Sequence, residues 1–412
     1  MVGIEFPAEL QKRVAETAPV DLLVGLTGAV DVEALRGKAR DLKGPVLDIE
    51  GAPMTKIVLA YAGVPGGEPA TLTDDGVLLA TYPMPSAVGT VNLWRDLSNA
   101  QRSVLALAEK WGARACMVMH SDQAALDPQT LRTFAEPVLK DGVDLVMPLY
   151  PAGKHDGLIN KSVLAPMSRA LYGRRVRWPL AADYCVGAKM LAKLAHESKA
   201  KSESGLLWAS NVAAMDGGQI KQAPLNVRHA PPVDGLDLNA VLRELIGSLF
   251  EEAEANAAQW QKVRASQPVM RYGDPCPPVE LEAPADPRPM VESFAIASQN
   301  LEEVWRLVLP PATVLELKRL ARLEPEQFRM PDALWARIVY DFALAHRMRR
   351  VSRTHVLGAL TPLYLGWVAG YVQEVAGTTA QEAERRVDQL AKVFEEQKPY
   401  FVSRWRWPER AV

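Results

Sequence analysis

The chain has 412 residues, of which 48% are hydrophobic, and a formal net charge of −2. This length suffices for two or three domains with full hydrophobic cores, and the balanced charge excludes the basic field that attracts nucleic acid. Its three cysteines, Cys116, Cys185 and Cys276, lie far apart, which excludes a CxxC zinc or redox motif and a disulfide framework, so we expect a cytoplasmic location.

The first 230 residues alternate between strand-like and helix-like patterns. Short apolar runs predict strands over residues 20–26, 44–49, 56–61, 113–122 and 143–149. Helical periodicity runs through residues 93–111, and Asp127 followed by Pro128 is typical of a second helix start. This order predicts a largely parallel sheet whose sites lie at the carboxyl edge of the strands.

The second half of the chain reads as helical. Residues 236–265 predict one long amphipathic helix, and residues 266–289 carry seven prolines and predict a linker or an extended belt. Apolar residues at helical spacing then predict helices over residues 302–309, 312–323, 331–349, 355–376 and 379–397. We therefore divide the chain into an α/β domain (1–235), a long helix with a Pro-rich linker (236–289) and an all-helical C-terminal domain (290–412).

One uncharged stretch, residues 356–372, requires a test against membrane insertion. It has 17 residues, the short limit for a bilayer span, and it contains Pro362 and three glycines. These features favour a buried core helix over a transmembrane helix and leave a peripheral membrane contact open. Residues 1–20 lack a basic start followed by an apolar block, so we expect no secretory signal.

Several long segments carry a resemblance to one family. They are residues 113–122 (ARACMVMHSD), 141–150 (DGVDLVMPLY), 155–160 (HDGLIN), 169–184 (RALYGRRVRWPLAADY), 334–342 (LWARIVYDF), 360–366 (LTPLYLG) and 398–405 (KPYFVSRW). Together they resemble bacterial GT-A glycosyltransferases related to the mannosylglycerate synthases and the glucosyl-3-phosphoglycerate-type synthases.

The resemblance implies a Rossmann-like GT-A domain that binds a nucleotide-diphosphate sugar as donor, followed by a helical domain. It also implies a divalent metal, Mg²⁺ or Mn²⁺, between the two donor phosphates and protein carboxylates. Such a cation neutralises the charge that develops on a nucleoside diphosphate leaving group. The implied partners are the nucleotide-sugar and a small or glycan-type acceptor, while the oligomeric state stays open between a monomer and a homodimer.

Two residues are candidate metal ligands. Asp122 occupies the end of the family's DxD motif, whose first Asp is replaced here by His120, which the resemblance places near the ribose or the diphosphate. His229 lies in a segment that resembles the strand end at which a His completes the metal site in this family. The alternative interpretations are a turn aspartate after a buried strand and a structural histidine.

Four further residues are candidates for substrate contacts. Asp183 occupies the acidic position of the family's GGDF segment, so the resemblance implies a catalytic role near the transferred sugar or the acceptor. Asp156 and Asn160 are candidates for acceptor contacts or for fixing their loop, and Asp48 is a candidate for a contact with the nucleotide base. Four arginines nearby could bind a phosphate or form a solvated stripe: Arg169, Arg174, Arg175 and Arg177.

The donor half departs from the family pattern. The GKG-like segment that approaches the phosphates is absent near residues 95–98, and alanines replace both glycines before Asp183. Two hypotheses follow: a transferase with changed donor or acceptor preference, or a pseudo-glycosyltransferase that keeps the fold and acts as a binding or scaffold protein. A nucleotidyltransferase is a more distant alternative, since its Gly-rich phosphate loop is missing.

Overall fold

The computed structural model describes residues 8–28, 30–42, 49, 56–63, 72–74, 77–82, 93–120, 126–200, 205–227, 237–274, 276, 279 and 285–408. The candidate residues Asp48, Asp122 and His229 lie outside the described residues, as does nearly all of the strand predicted over residues 44–49.

The chain divides into two compact units. The sheet unit comprises residues 1–150, 176–227 and 268–276, and the helical unit comprises residues 151–175, 228–267 and 277–412. The units interleave along the chain, because residues 151–175 and 228–267 group with the C-terminal helices. The proposed limits at residues 235 and 289 assumed continuous segments and stay a prediction.

Nine strands of the described residues form one sheet: β1 (Leu22–Leu26), β2 (Ile57–Ala62), β3 (Leu72–Asp74), β4 (Val77–Tyr82), β5 (Ala115–Met119), β6 (Leu145–Leu149), β7 (Tyr184–Gly187), β8 (Ile220–Pro224) and β9 (Met270–Arg271). Their order across the sheet is β3-β4-β2-β1-β5-β7-β6-β8-β9. The pairs β3–β4, β5–β7 and β6–β7 are antiparallel, and the other pairs are parallel. The largely parallel sheet predicted from the sequence is confirmed.

The described helices are, in chain order, α1 (Ala8–Thr17), α2 (Val32–Asp41), α3 (Leu93–Lys110), α4 (Pro128–Leu139), α5 (Ala165–Tyr172), α6 (Ala188–Ala200), α7 (Ala209–Met215), α8 (Leu238–Ala255), α9 (Ala257–Trp260), α10 (Arg288–Asn300), α11 (Glu302–Val308), α12 (Pro311–Leu320), α13 (Asp332–Met348), α14 (Arg353–Val375) and α15 (Ala380–Arg406). Asp127 caps α4 by accepting a hydrogen bond from the N–H of Thr130, as its position before Pro128 predicted.

The sheet is buried on both faces. Side chains alternate along each strand, so Leu23 and Cys116 join the core beneath α3, whereas Val24 and Met117 join the core beneath α4. Gly25 allows α3 to lie close to β1, because a Cβ at this position would stand 2.1 Å from Cγ1 of Val104. The sheet unit is therefore a three-layer α/β structure, which confirms the predicted fold class for this part of the chain.

The helical unit packs around buried aromatic rings. Tyr340 of α13 stacks on Phe401 of α15 with ring centroids 4.5 Å apart, and Phe401 stacks in turn on Trp260 at 5.0 Å. From residue 288 to residue 406 the described regular elements are helical, which confirms the predicted C-terminal helical region. Helix α15 begins at the predicted capping box of Thr379 and Glu382 and continues to Arg406, nine residues beyond the predicted end at residue 397.

Helix α14 contains the uncharged stretch 356–372. Most of its side chains are buried, among them Val356, Leu363, Trp367 and Val372, so the predicted core helix is confirmed. Within the described ranges, no helix is long and apolar enough to cross a membrane.

One sequence-based expectation is wrong. The single helix predicted over residues 236–265 ends at Ala255. The Trp260 indole donates to the carbonyl of Ala253 at 2.8 Å, in place of the backbone N–H that a continuing helix would have supplied. The segment 266–289, predicted as a linker or an extended belt, contributes β9 to the sheet, because Met270 and Arg271 pair with β8.

Candidate functional site at the carboxyl edge of the sheet

The order of the strands marks one place on the sheet for a ligand. From β1 the chain adds β2 and β4 on one side, and it then returns to place β5 on the other side of β1. In open α/β sheets, ligands bind outside the carboxyl ends of the two strands where the order reverses. In this chain those strands are β1 and β5, which end at Leu26 and Met119.

The two strand ends at this position are joined. Thr27 follows β1, and both its backbone N–H and its hydroxyl donate to the carbonyl of Met119, at 2.9 and 3.1 Å. The hydroxyl of Tyr82 donates to the carbonyl of Leu26 at 2.6 Å. The backbone on both sides of the reversal point is therefore fixed by hydrogen bonds that leave its buried carbonyls satisfied.

Asp183 lies at the same edge. Strand β7 runs antiparallel between β5 and β6, so the residue before β7 meets the residues that follow the other two strands. One oxygen of Asp183 accepts from the backbone N–H of His120 at 2.7 Å, and the other accepts from the hydroxyl of Tyr150 at 2.5 Å. Asp183 is 1% exposed, so its carboxylate connects the start of β7 to the ends of β5 and β6 below the protein surface.

Tyr150 is a protonated donor to Asp183. Burial raises the pKa of its phenol well above the ordinary value, and the neighbouring Asp183 raises it further. The ring also meets Trp178 edge to face, with centroids 5.5 Å apart. Tyr150 was not among the residues predicted from the sequence, although its position directly after β6 corresponds to that of His120 directly after β5.

The two alanines before Asp183 lie in a fixed stretch of backbone. The Gln101 side chain on α3 donates to the carbonyls of Ala181 and Ala182, at 3.1 and 3.3 Å. Both alanines are nearly buried. The backbone before Asp183 is therefore held from one side by α3.

Asp122 and His229 follow strands that end at one edge of the sheet. Asp122 lies three residues after β5 and His229 five residues after β8.

No group of three metal-ligating side chains occurs among the residues that the structure describes. The Asp183 carboxylate accepts hydrogen bonds from His120 and Tyr150, and it lies below the surface. The roles of Asp122 and His229 as metal ligands stay predictions. The same holds for Asp48 as a contact to the nucleotide base.

Asp156 and Asn160 belong to the helical unit. A carboxylate oxygen of Asp156 accepts from the backbone N–H of Gly153 at 2.9 Å, which fixes the loop before the π-helical turn Asn160–Leu164. Asn160 is buried at the start of that turn. The loop-fixing role proposed for Asp156 has a visible basis, while the ligand contacts of both residues stay predictions.

Arg169, one of the four arginines of the predicted cluster, has a structural role. Arg169 is 5% exposed and donates to Asp388 at 2.5 Å and to Glu395 at 2.8 Å, all within the helical unit. It is therefore neither an open anion site nor part of a solvated stripe, because its charge is used between α5 and α15. Arg174 donates to Gln267, and Arg175 donates to Ser266 at 3.0 Å.

The chain matches no family model and no curated protein. Among solved structures it is similar to glucosyl-3-phosphoglycerate synthase from Mycobacterium tuberculosis, at 17% identity and a TM-score of 0.34, over 60% of this chain and 86% of that one. A complex of that enzyme with Mn²⁺, UDP and glucosyl-3-phosphoglycerate is 17% identical, with a TM-score of 0.35 over 60% and 85% of the two chains.

A complex with Mn²⁺, UDP-glucose and phosphoglyceric acid is also 17% identical, with a TM-score of 0.35 over 64% of this chain and 93% of that one. Structural similarity at such low identities and TM-scores supports no conclusion about function.

Proposed function

We propose that this chain is a metal-dependent glycosyltransferase that moves a sugar from a nucleotide-diphosphate donor to a small or glycan-type acceptor. One observation carries the proposal. The reversal point between β1 and β5, where an α/β sheet binds its ligand, is followed along the chain by Asp122 and adjoined by Asp183. Both residues belong to segments that resemble GT-A glycosyltransferases.

The proposed roles differ between the two carboxylates. Asp122 and His229 would hold the divalent metal, which would stabilise the charge on the departing nucleoside diphosphate. Asp183 is a positioning residue, because it accepts a hydrogen bond from the backbone N–H of His120. His120 is followed directly by Ser121 and Asp122. Tyr150 keeps Asp183 in place by donating its hydroxyl hydrogen. A direct contact of Asp183 with the sugar or the acceptor remains part of the proposal.

A second function, a binding or scaffold protein with a glycosyltransferase fold, is favoured by one specific observation. Polar groups at the edge are used within the protein: the hydroxyl of Thr27 bonds Met119, and the Asp183 carboxylate bonds His120 and Tyr150. The donor loops also lack the residues that read phosphate in the family. This alternative predicts a folded protein that binds no nucleotide-sugar.

Thermal unfolding with donor panels separates the two functions. We expect one of UDP-glucose, GDP-mannose or ADP-glucose to raise the Tm when Mn²⁺ is present, because a ligand at 100 times its Kd stabilises the folded state by about 2.7 kcal/mol. The shift should disappear with EDTA and in Asp122→Asn, which keeps the shape and removes the charge. Asp127→Asn, at the cap of α4, is the matched control that should keep the shift. A well-folded protein with no shift for any donor supports the scaffold function.

A further inference from the structure

A basic groove lies within the helical unit. It has a volume of about 450 Å³ and opens between the end of α15 and the segment that follows α9. Its walls include Arg264, Lys398, Arg406 and Trp407. None of these residues takes part in the proposed transferase site.

Lys398 gives the groove a buried positive charge. The side chain is 6% exposed, its Nζ donates to the carbonyl of Val263 at 2.7 Å, and it lies 6.0 Å from the centre of the Trp260 ring. Burial lowers the pKa of Lys398 to about 8, against the opposing effect of Glu395. The ammonium group is thus less well solvated here than in water, and an added anion would compensate for the lost hydration.

The acidic residue of the groove is already paired. One oxygen of Glu395 accepts from Arg169 at 2.8 Å, and the other accepts from the backbone N–H of Ser266 at 3.1 Å. Arg264 and Arg406 are exposed at the rim, where Arg406 uses its Nε to donate to Gln261 at 2.8 Å. The three basic side chains therefore give this groove a net positive charge.

Trp407 adds a flat apolar surface. It is 60% exposed, although tryptophan usually buries most of its ring in a folded protein. An exposed indole beside arginines offers a stacking surface to a planar group, and the buried lysine offers charge-assisted hydrogen bonds to an oxyanion. The two features lie in one groove whose volume fits a small molecule.

We propose that this groove binds a small molecule that carries a phosphate group next to a planar ring, with the phosphate at Arg264, Lys398 and Arg406 and the ring on Trp407. Because Arg264, Lys398 and Arg406 supply the positive charge that a phosphate needs, we expect binding here to require no metal. This property separates it from the proposed donor site, whose ligand depends on a divalent cation.

The test is titration calorimetry of the full chain in EDTA with phenyl phosphate and, in a second arm, inorganic phosphate. We expect phenyl phosphate to bind and inorganic phosphate to bind more weakly. Lys398→Met should lower the affinity for phenyl phosphate at least about tenfold, the usual effect of losing a charged hydrogen-bond donor. Trp407→Ala should bring phenyl phosphate down to the affinity of inorganic phosphate.

Since Lys398→Met could disturb folding, the double variant Arg264→Ala/Arg406→Ala changes only exposed side chains and should also lower the affinity at least tenfold. Arg385→Ala, an exposed arginine earlier on α15, is the matched control and should bind as the unchanged protein does. The proposal is overturned if phenyl phosphate does not bind in EDTA, or if the double variant binds it with unchanged affinity. Either result leaves the metal-dependent donor site untouched, and loss of the donor site would leave this groove untouched.

Discussion

At the scale of single residues, the two oxygens of Asp183 connect the start of β7 to the residues that follow β5 and β6. One oxygen accepts from the N–H of His120, the other accepts from the hydroxyl of Tyr150, and the group is nearly fully buried. Hydrogen bonds to a buried charged group are worth more than neutral ones, and their loss leaves an acceptor unsatisfied. Tyr150 should therefore contribute to stability through Asp183.

We predict that Tyr150→Phe lowers the free energy of unfolding by about 1.5–3 kcal/mol, since it leaves the buried Asp183 with one donor fewer. A cycle with Asp183→Asn, measured by urea denaturation, should give a coupling of about 1 kcal/mol or more. Additive effects of the two substitutions would contradict the proposed link between them.

Asp341 in the helical unit should make the stability of the protein depend on pH. It accepts from the Tyr400 hydroxyl at 2.8 Å and lies 2.6 Å from Nε of Arg404, yet burial raises its pKa from 3.8 to about 7. Between these values the unfolded chain has lost a proton that the folded protein keeps. The contribution of Asp341 is therefore fully present below about pH 4 and is lost as the pH rises to about 7.

We expect the stability of the unchanged protein, relative to Asp341→Asn, to fall as the pH rises from about 4 to about 7, by up to ~1.4 kcal/mol for each pH unit. Above that range the difference between the two proteins should be constant. Urea denaturation across the range measures it. A difference that rises with pH would mean that Arg404 lowers the pKa of Asp341 instead.

At the scale of elements, the end of α5 depends on Gly173. Its φ is +70°, and an added Cβ would stand 2.7 Å from Cγ1 of Val263 and 3.2 Å from the carbonyl of Ala265. Gly217 has the same φ of +70° with nothing within 4 Å of an added Cβ. Alanine at either position would strain the backbone, but only alanine at Gly173 would also overlap with neighbouring atoms. Comparing the two substitutions therefore separates the cost of backbone strain from the cost of steric overlap.

We predict that Gly173→Ala lowers the free energy of unfolding by 1–3 kcal/mol more than Gly217→Ala does, as expected for overpacking added to strain at positive φ, on the order of magnitude usual for such changes. Chemical denaturation of both variants provides the comparison. Equal losses would show that Val263 moves aside at no measurable cost.

The elements also show which sequence signals were sufficient. Apolar runs located β1, β2, β5 and β6, and the capping residues located the starts of α4 and α15, because these signals are local. The break at Asn256 was missed, since it depends on Trp260 reaching back to the carbonyl of Ala253. Strand β9 was missed because two residues of a Pro-rich segment pair only through the neighbouring β8.

At the scale of the whole molecule, the candidate site was only partly readable from the sequence. The segment around Asp183 marked this residue as a candidate, but its hydrogen-bond partners follow from β7 lying antiparallel between β5 and β6, which no local pattern encodes. The buried pairing of Arg169 with Glu395 joins residues 226 positions apart and was likewise missed. The identity of a residue does not determine which groups it bonds. Contacts between segments that are distant in sequence determine this, and with it the chemical role of the residue.

The central claim is that a divalent metal at Asp122 supports sugar transfer at the reversal point between β1 and β5. The most direct measurement is sugar transfer or donor hydrolysis against a panel of nucleotide-sugars, with and without Mn²⁺, for the unchanged protein and Asp122→Asn. We predict activity with at least one donor that is lost on chelation and in Asp122→Asn, by roughly 10²-fold or more, the size typical of removing an electrostatic stabiliser of the transition state. Activity that survives both chelation and Asp122→Asn would contradict the metal-dependent mechanism.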